Sequence, residues 1–164
     1  MRRNRSKAIA LGGVMVALAV VIMCLGGLIP VATYVCPMLC MLLLTVVLRM
    51  CGGRIAWAWY GAVTVLCLLL APDKEAAAVF VLLGYYPIIK PRLDALKLNW
   101  VWKLLLFNVC ILVLYTAGIW LLGLDGVASE FEELGILGLA VLLILGNITF
   151  LLLDKLLVKF VKSK

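Results

Sequence analysis

Long apolar runs, each closed by a short group of charges, prolines or glycines, alternate along the chain from Ala8 to Asp154. Crossing ~30 Å of hydrocarbon takes about 20 helical residues at ~1.5 Å each. Set against the breaks, the runs predict six membrane-spanning helices, at about 8–29, 35–48, 55–71, 74–90, 100–122 and 134–154, the second and third being short. The expected fold class is therefore an all-α integral membrane protein, a six-transmembrane-helix bundle forming one transmembrane domain over residues 1–164.

The charges test this division independently, because they do not enter the drawing of the spans. With the N-terminus in the cytoplasm, every one of the 15 Lys and Arg residues except Lys74 falls at an inner end or inner segment, and every one of the eight acids except Asp94 and Asp154 falls outside. Such segregation is the positive-inside pattern. It places both termini in the cytoplasm and the chain in a cell membrane as a multi-pass protein, bacterial plasma membrane being the expected setting. Trp57, Trp59, Tyr60, Tyr85, Tyr86, Trp100 and Trp102 gather near the inner helix ends, where amphipathic rings suit a headgroup layer.

The fourth run leaves the membrane through "LLGYYPIIKPRLDALK", residues 82–97. A helix starting at a cap on Asp73 and stopping at Tyr86 is too short to cross, so it is expected to continue through Pro87. Proline there removes the bond to the Leu83 carbonyl beside Gly84, which predicts a kink over Gly84–Pro87. Pro91 is expected to push Lys90 out of helical geometry and end the span. Residues 91–98 then read as a short interfacial helix carrying Leu93 and Leu96 on one face. This elbow is either a connector or a docking surface.

Composition agrees with the bilayer: 67% of residues are hydrophobic, 14% are charged and mean hydropathy is +1.25. That leaves too little polar surface to coat a water-soluble globule. The net charge of +7 is read as topology, with membrane lipids as partners and no nucleic acid, because no aromatic-rich basic platform accompanies it. The basic head and apolar run at the N-terminus lack a cleavage-site pattern, so a retained first span is expected.

Chemistry is sparse. The chain has no His, no Asp or Glu in the central part of any expected span, no phosphate-cradling glycine loop and no nucleophile-elbow serine. A proton relay and a hydrolytic base both lack their side chains, so no enzyme and no cofactor are expected. The six cysteines lie mostly in apolar runs without a Cys-x-x-Cys pair and read as small buried thiols. Cys36 and Cys40 share a face, but without His or a nearby carboxylate no metal site is expected. Asp154, next to Lys155, reads as a solvated or locally paired carboxylate at the inner boundary.

Neutral polar residues remain. Asn108 and Asn147 lie at similar depth, roughly 10–12 Å from the inner interface, and are expected to be neighbours. Such a pair is either a helix clamp or the floor of a ligand pocket completed by Tyr115, Thr116 and Trp120 and by Thr33 and Tyr34 of the loop "GGLIPVATYVCP". That loop is either a lid or an ordinary turn. On helix one, Ala8, Gly12 and Ala19 share one face while Ala10, Gly13 and Ala17 share nearly the opposite one. Two small faces imply two close neighbours, both within the chain or one in another protein.

A six-span chain of this size with a basic N-terminus, an Ala/Gly groove on helix one and no energy-coupling chemistry resembles the substrate-binding S components of energy-coupling-factor vitamin transporters. The resemblance implies that Ala8 and Gly12, or Gly13 and Ala17, dock on a transmembrane coupling subunit. It implies a substrate pocket in the outer half, where Thr33, Tyr34, Tyr115, Trp120 and Asn147 fall, Asn108 being the further substrate-binding candidate, with release inward driven by partner ATPase subunits. The pocket region departs from the family in offering few hydrogen-bonding or charged groups. The alternative is a non-transporting membrane scaffold similar to the rod-shape-determining membrane proteins. A lipid-handling membrane enzyme is disfavoured by the missing His and intramembrane acids.

Overall fold

The computed structural model describes the backbone of residues 2–26, 32–121 and 125–162, with the side chains of these except at 2–5, 7, 117–137, 139, 142 and 160–162. The described residues are helical nearly throughout, with no strand: α1 (Arg2–Gly26), α2 (Ala32–Cys51), α3 (Gly53–Leu70), α4 (Lys74–Leu83), α5 (Tyr86–Asp94), α6 (Asn99–Leu121) and α7 (Asp125–Lys162). Among the described residues five segments are long and apolar enough to cross a membrane: Ala8–Gly26, Ala32–Cys51, Gly53–Leu70, Lys74–Asp94 and Asn99–Thr116. The chain divides into two compact units, Met1–Arg92 and Leu93–Lys164.

In the first unit α1 and α2 run antiparallel at close range. The Cys40 thiol points at the Ala19 carbonyl (3.6 Å) and the Cys51 thiol at the Ala8 carbonyl (3.3 Å), contacts that only small residues on α1 permit. Gly12 is buried, and a Cβ there would meet Ile55 of α3 at 3.6 Å. The Ala8–Gly12–Ala19 face is thus occupied by α2 and α3. Ala10, Gly13 and Ala17 are exposed, and nothing lies within 4 Å of a Cβ built on Gly13.

Helix α2 starts at Ala32, three residues before the predicted boundary, so Thr33 and Tyr34 belong to its first turn rather than to a loop. Pro37 does not prevent this. It removes one bond, to the Thr33 carbonyl, close to the helix start. At the other end Gly52 alone joins α2 to α3, with φ +87°, a conformation open to glycine at little steric cost.

The Asp73 cap forms as expected, its carboxylate accepting from the Ala76 amide at 3.0 Å. The break also falls where predicted: α4 ends at Leu83, Gly84 and Tyr85 form a turn, and helix resumes at Tyr86. The Gly84 amide still donates to Phe80 (2.7 Å), and the Tyr60 hydroxyl donates to the Val81 carbonyl (2.5 Å) in the last turn of α4, where carbonyls run short of helical partners. Phe80 is fully buried at the centre of an aromatic group, with Tyr60 at 5.8 Å and Trp59 edge-on at 6.5 Å.

Three expectations are corrected. Pro91 does not end the span; it lies inside α5, and helix continues to Asp94. Because helix restarts at Tyr86, Pro87 occupies the second position, where its missing N–H has no partner to lose, and Pro91 forfeits a single bond to the Pro87 carbonyl. Lys90 stays helical, 6% exposed, with its ammonium 5.8 Å from the Tyr86 ring centre. Residues 95–98 accordingly form turns, and no separate helix spans 91–98. Finally, Trp59 and Tyr86 are core residues at 2% and 0% exposure, whereas Trp57, Trp100 and Trp102 are exposed.

Helix α7 is longer than the expected span. Its 38 residues reach about 57 Å, well beyond a hydrocarbon layer, and take in the acidic stretch after Asp125 that reads as a loop in the sequence.

Candidate functional site

The second unit is an antiparallel α6–α7 pair. Lys103, Phe107, Cys110 and Leu114 recur at four- and three-residue spacing on one face of α6, and Phe150, Leu153 and Leu157 do so on α7; all seven are buried. Phe107 and Phe150 stack with ring centres 4.8 Å apart. Gly146 lets Phe107 approach, since a Cβ there would come within 3.3 Å of its ring.

Asn108 and Asn147 meet in this interface, as their matching depth predicts. The Asn108 amide donates to Asn147 Oδ1 at 3.1 Å, and the Asn147 amide donates back to Asn108 Oδ1 at 3.3 Å. Each amide uses its second N–H on a carbonyl one turn earlier, Leu104 and Leu143, both at 2.8 Å. Every N–H of the pair is thereby engaged, and only carbonyl lone pairs remain for any ligand. This is the arrangement of a clamp. Asn147→Leu is expected to lower stability by about 1 kcal/mol, measured by denaturant unfolding in detergent, because Asn108 keeps its bond to Leu104 and loses only its cross-helix partner.

One turn beyond the stacked phenylalanines lies an ionic group that sequence reasoning missed. The Lys103 ammonium pairs with Asp154 at 3.0 Å and also with Asp94. Its side chain is 8% exposed, that of Asp154 15% and that of Asp94 39%. The expectation of a solvated or locally paired Asp154 is corrected: its partner is Lys103 of α6. The signal available in the sequence was depth: Lys103 and Asp154 lie at matching ends of two consecutive apolar runs.

The first unit holds the other polar pair expected at a pocket. Thr33 Oγ1 donates to Asp73 Oδ2 at 2.7 Å, and the Tyr34 hydroxyl donates to Glu75 Oε1 at 2.9 Å. The two hydroxyls therefore tie the start of α2 to the start of α4. The same Asp73 carboxylate caps α4 through its other oxygen. Tyr115 is half-buried on α6, the Thr116 hydroxyl turns back to the Leu112 carbonyl (2.7 Å), and the Trp120 side chain lies outside the described residues.

Cys36, Cys40, Cys67 and Cys110 are buried, and Cys24 and Cys51 half-buried, as free thiols. Among the described residues no three His, Cys, Asp or Glu side chains are placed to hold a metal ion. No family model, no curated protein and no solved structure matches the chain.

Proposed function

We propose that the chain is a six-span membrane protein with cytoplasmic termini that serves as the substrate-binding subunit of an energy-coupling-factor-type importer, taking up a small molecule such as a vitamin with the help of partner ATPase subunits. The observation that carries this reading is the division of labour on α1. One small-residue face is occupied by α2 and α3, while Ala10, Gly13 and Ala17 are exposed. A backbone open along a line of small residues is the surface on which another membrane helix packs closely. The partner-docking positions narrow accordingly to Gly13 and Ala17, Ala8 and Gly12 being committed within the chain. With no His and no acid in the centre of an expected span, energy for transport falls to the partner. Of the substrate-binding candidates, Tyr115 and Trp120 are proposed as the apolar contacts in the second unit.

A second reading has its own support. Thr33, Tyr34, Asn108 and Asn147 direct their donors at other groups of the chain, which suits a scaffold that recruits partners through the same α1 face and binds no small molecule.

Gly13→Leu with Ala17→Leu tests both readings. The double variant is expected to insert and fold but to lose at least tenfold of the co-purifying ATPase subunit. Recovery of the same complex from variant and wild type would remove the docking surface. Loss of a partner set that never included an ATPase would favour the scaffold.

A further inference from the structure

The end of the α6–α7 pair near Lys103 carries a surface that the proposed transport role does not use. Leu96 and Leu98 in the turn before α6, and Trp100 and Trp102 in its first turn, are all exposed, Leu98 and Trp100 to 63% and 59%. Large apolar side chains, two of them indoles, crowd a stretch of seven residues. On α7 the antiparallel register fixed by Lys103–Asp154 and Phe107–Phe150 brings Lys155 and Lys159 level with Trp102 and Leu98. Lys97, Lys155 and Lys159 are exposed. The charge balance at this end is one-sided: both carboxylates, Asp94 and Asp154, are committed to Lys103, and none of the three exposed lysines joins an ion pair among the described residues. Indole rings with a polar N–H and an apolar body favour the headgroup boundary, and neighbouring ammonium groups on long stems reach the phosphate layer.

We propose that this end of the α6–α7 pair is a binding surface for anionic phospholipids, in which Leu96, Leu98, Trp100 and Trp102 enter the acyl boundary and Lys97, Lys155 and Lys159 hold lipid phosphates. Zwitterionic headgroups satisfy the indoles equally but return no net charge to the lysines. Selectivity for the anionic lipid therefore rests on the three lysines, and insertion rests on the aromatic and leucine side chains.

The test is native mass spectrometry of the full-length protein released from nanodiscs of equal parts phosphatidylglycerol and phosphatidylcholine. Wild type is expected to retain phosphatidylglycerol preferentially, and each Lys→Gln substitution at 97, 155 or 159 to lower that preference about two- to fivefold, in line with the attraction of one surface cation to an anionic leaflet. The triple variant is expected to retain both lipids alike while unfolding at the wild-type temperature. In parallel, the fraction of tryptophan fluorescence quenched by brominated acyl chains should persist in the triple variant and fall in Trp100→Ser/Trp102→Ser, and an unchanged fraction in the latter overturns the insertion of the indoles. Equal retention of the two lipids by wild type, or an undiminished phosphatidylglycerol preference in the triple variant, overturns the proposal.

Discussion

Lys103→Met is expected to destabilise the α6–α7 pair by about 3 kcal/mol, read as a lower midpoint in denaturant unfolding of the detergent-solubilised protein. The ammonium is the common partner of two carboxylates. Asp94 is 39% exposed and regains water when the lysine is removed, so its share is small. Asp154, only 15% exposed and facing α6, has far less access to water and loses its cross-helix cation. The cost therefore sits with one residue, which makes the prediction specific. Adding Asp154→Leu to Lys103→Met should recover most of the loss, because replacing both members of a buried pair with apolar groups is close to neutral. Additive losses in the double variant would show that the pair does not act as a unit.

Gly84→Ala is expected to cost about 2 kcal/mol, although the residue sits at ordinary helical angles of φ −60° and ψ −29°. Backbone strain is not the cause. A Cβ at this position runs into the Phe80 carbonyl oxygen and stands 2.9 Å from the Phe80 ring, and Phe80 is fully buried between Trp59 and Tyr60 with no room to retreat. The carbonyl belongs to the last turn of α4 and accepts from the Gly84 amide, so relief requires that turn to shift. Gly61→Ala is the matched control. That glycine lies exposed in α3 with nothing within 4 Å of an added Cβ, and alanine there should be neutral or mildly stabilising. Equal effects from the two substitutions would mean that the Phe80 contact has no energetic weight.

These two sites also show which features the sequence made legible. Helices and breaks followed from apolar run length, because a lipid-facing helix advertises itself by composition over about 20 residues. The Asp73 cap and the interruption at Gly84–Pro87 followed from local backbone chemistry, which depends on few neighbours. The Asn108–Asn147 contact followed from depth alone, since a rise of ~1.5 Å per residue turns chain position into height.

What stayed hidden depended on rotation about a helix axis or on a neighbouring helix. Asp154 beside Lys155 suggested a pair, but consecutive residues on a helix do not face each other, and the partner came from α6 instead. Trp59 and Trp57 are two apart and read alike in sequence; about 200° of rotation puts one in the core and leaves the other outside. Pro91 reads as a stop, yet helix continues through it to Asp94, at the loss of one bond to the Pro87 carbonyl. The pocket candidates were chosen for being polar at the right depth, a criterion that does not reveal whether a hydroxyl or amide is already engaged. Thr33, Tyr34, Asn108 and Asn147 all are.

The exposed Ala10–Gly13–Ala17 face of α1 is proposed as the docking surface for an ATPase-linked membrane partner. Native mass spectrometry of the wild-type protein, purified gently from its own host, tests it most directly. The expected result is an assembly in which this chain, a second membrane subunit and an ATPase subunit appear together. A chain recovered alone or only as multiples of itself, under conditions that keep other membrane complexes of the same host intact, would contradict it.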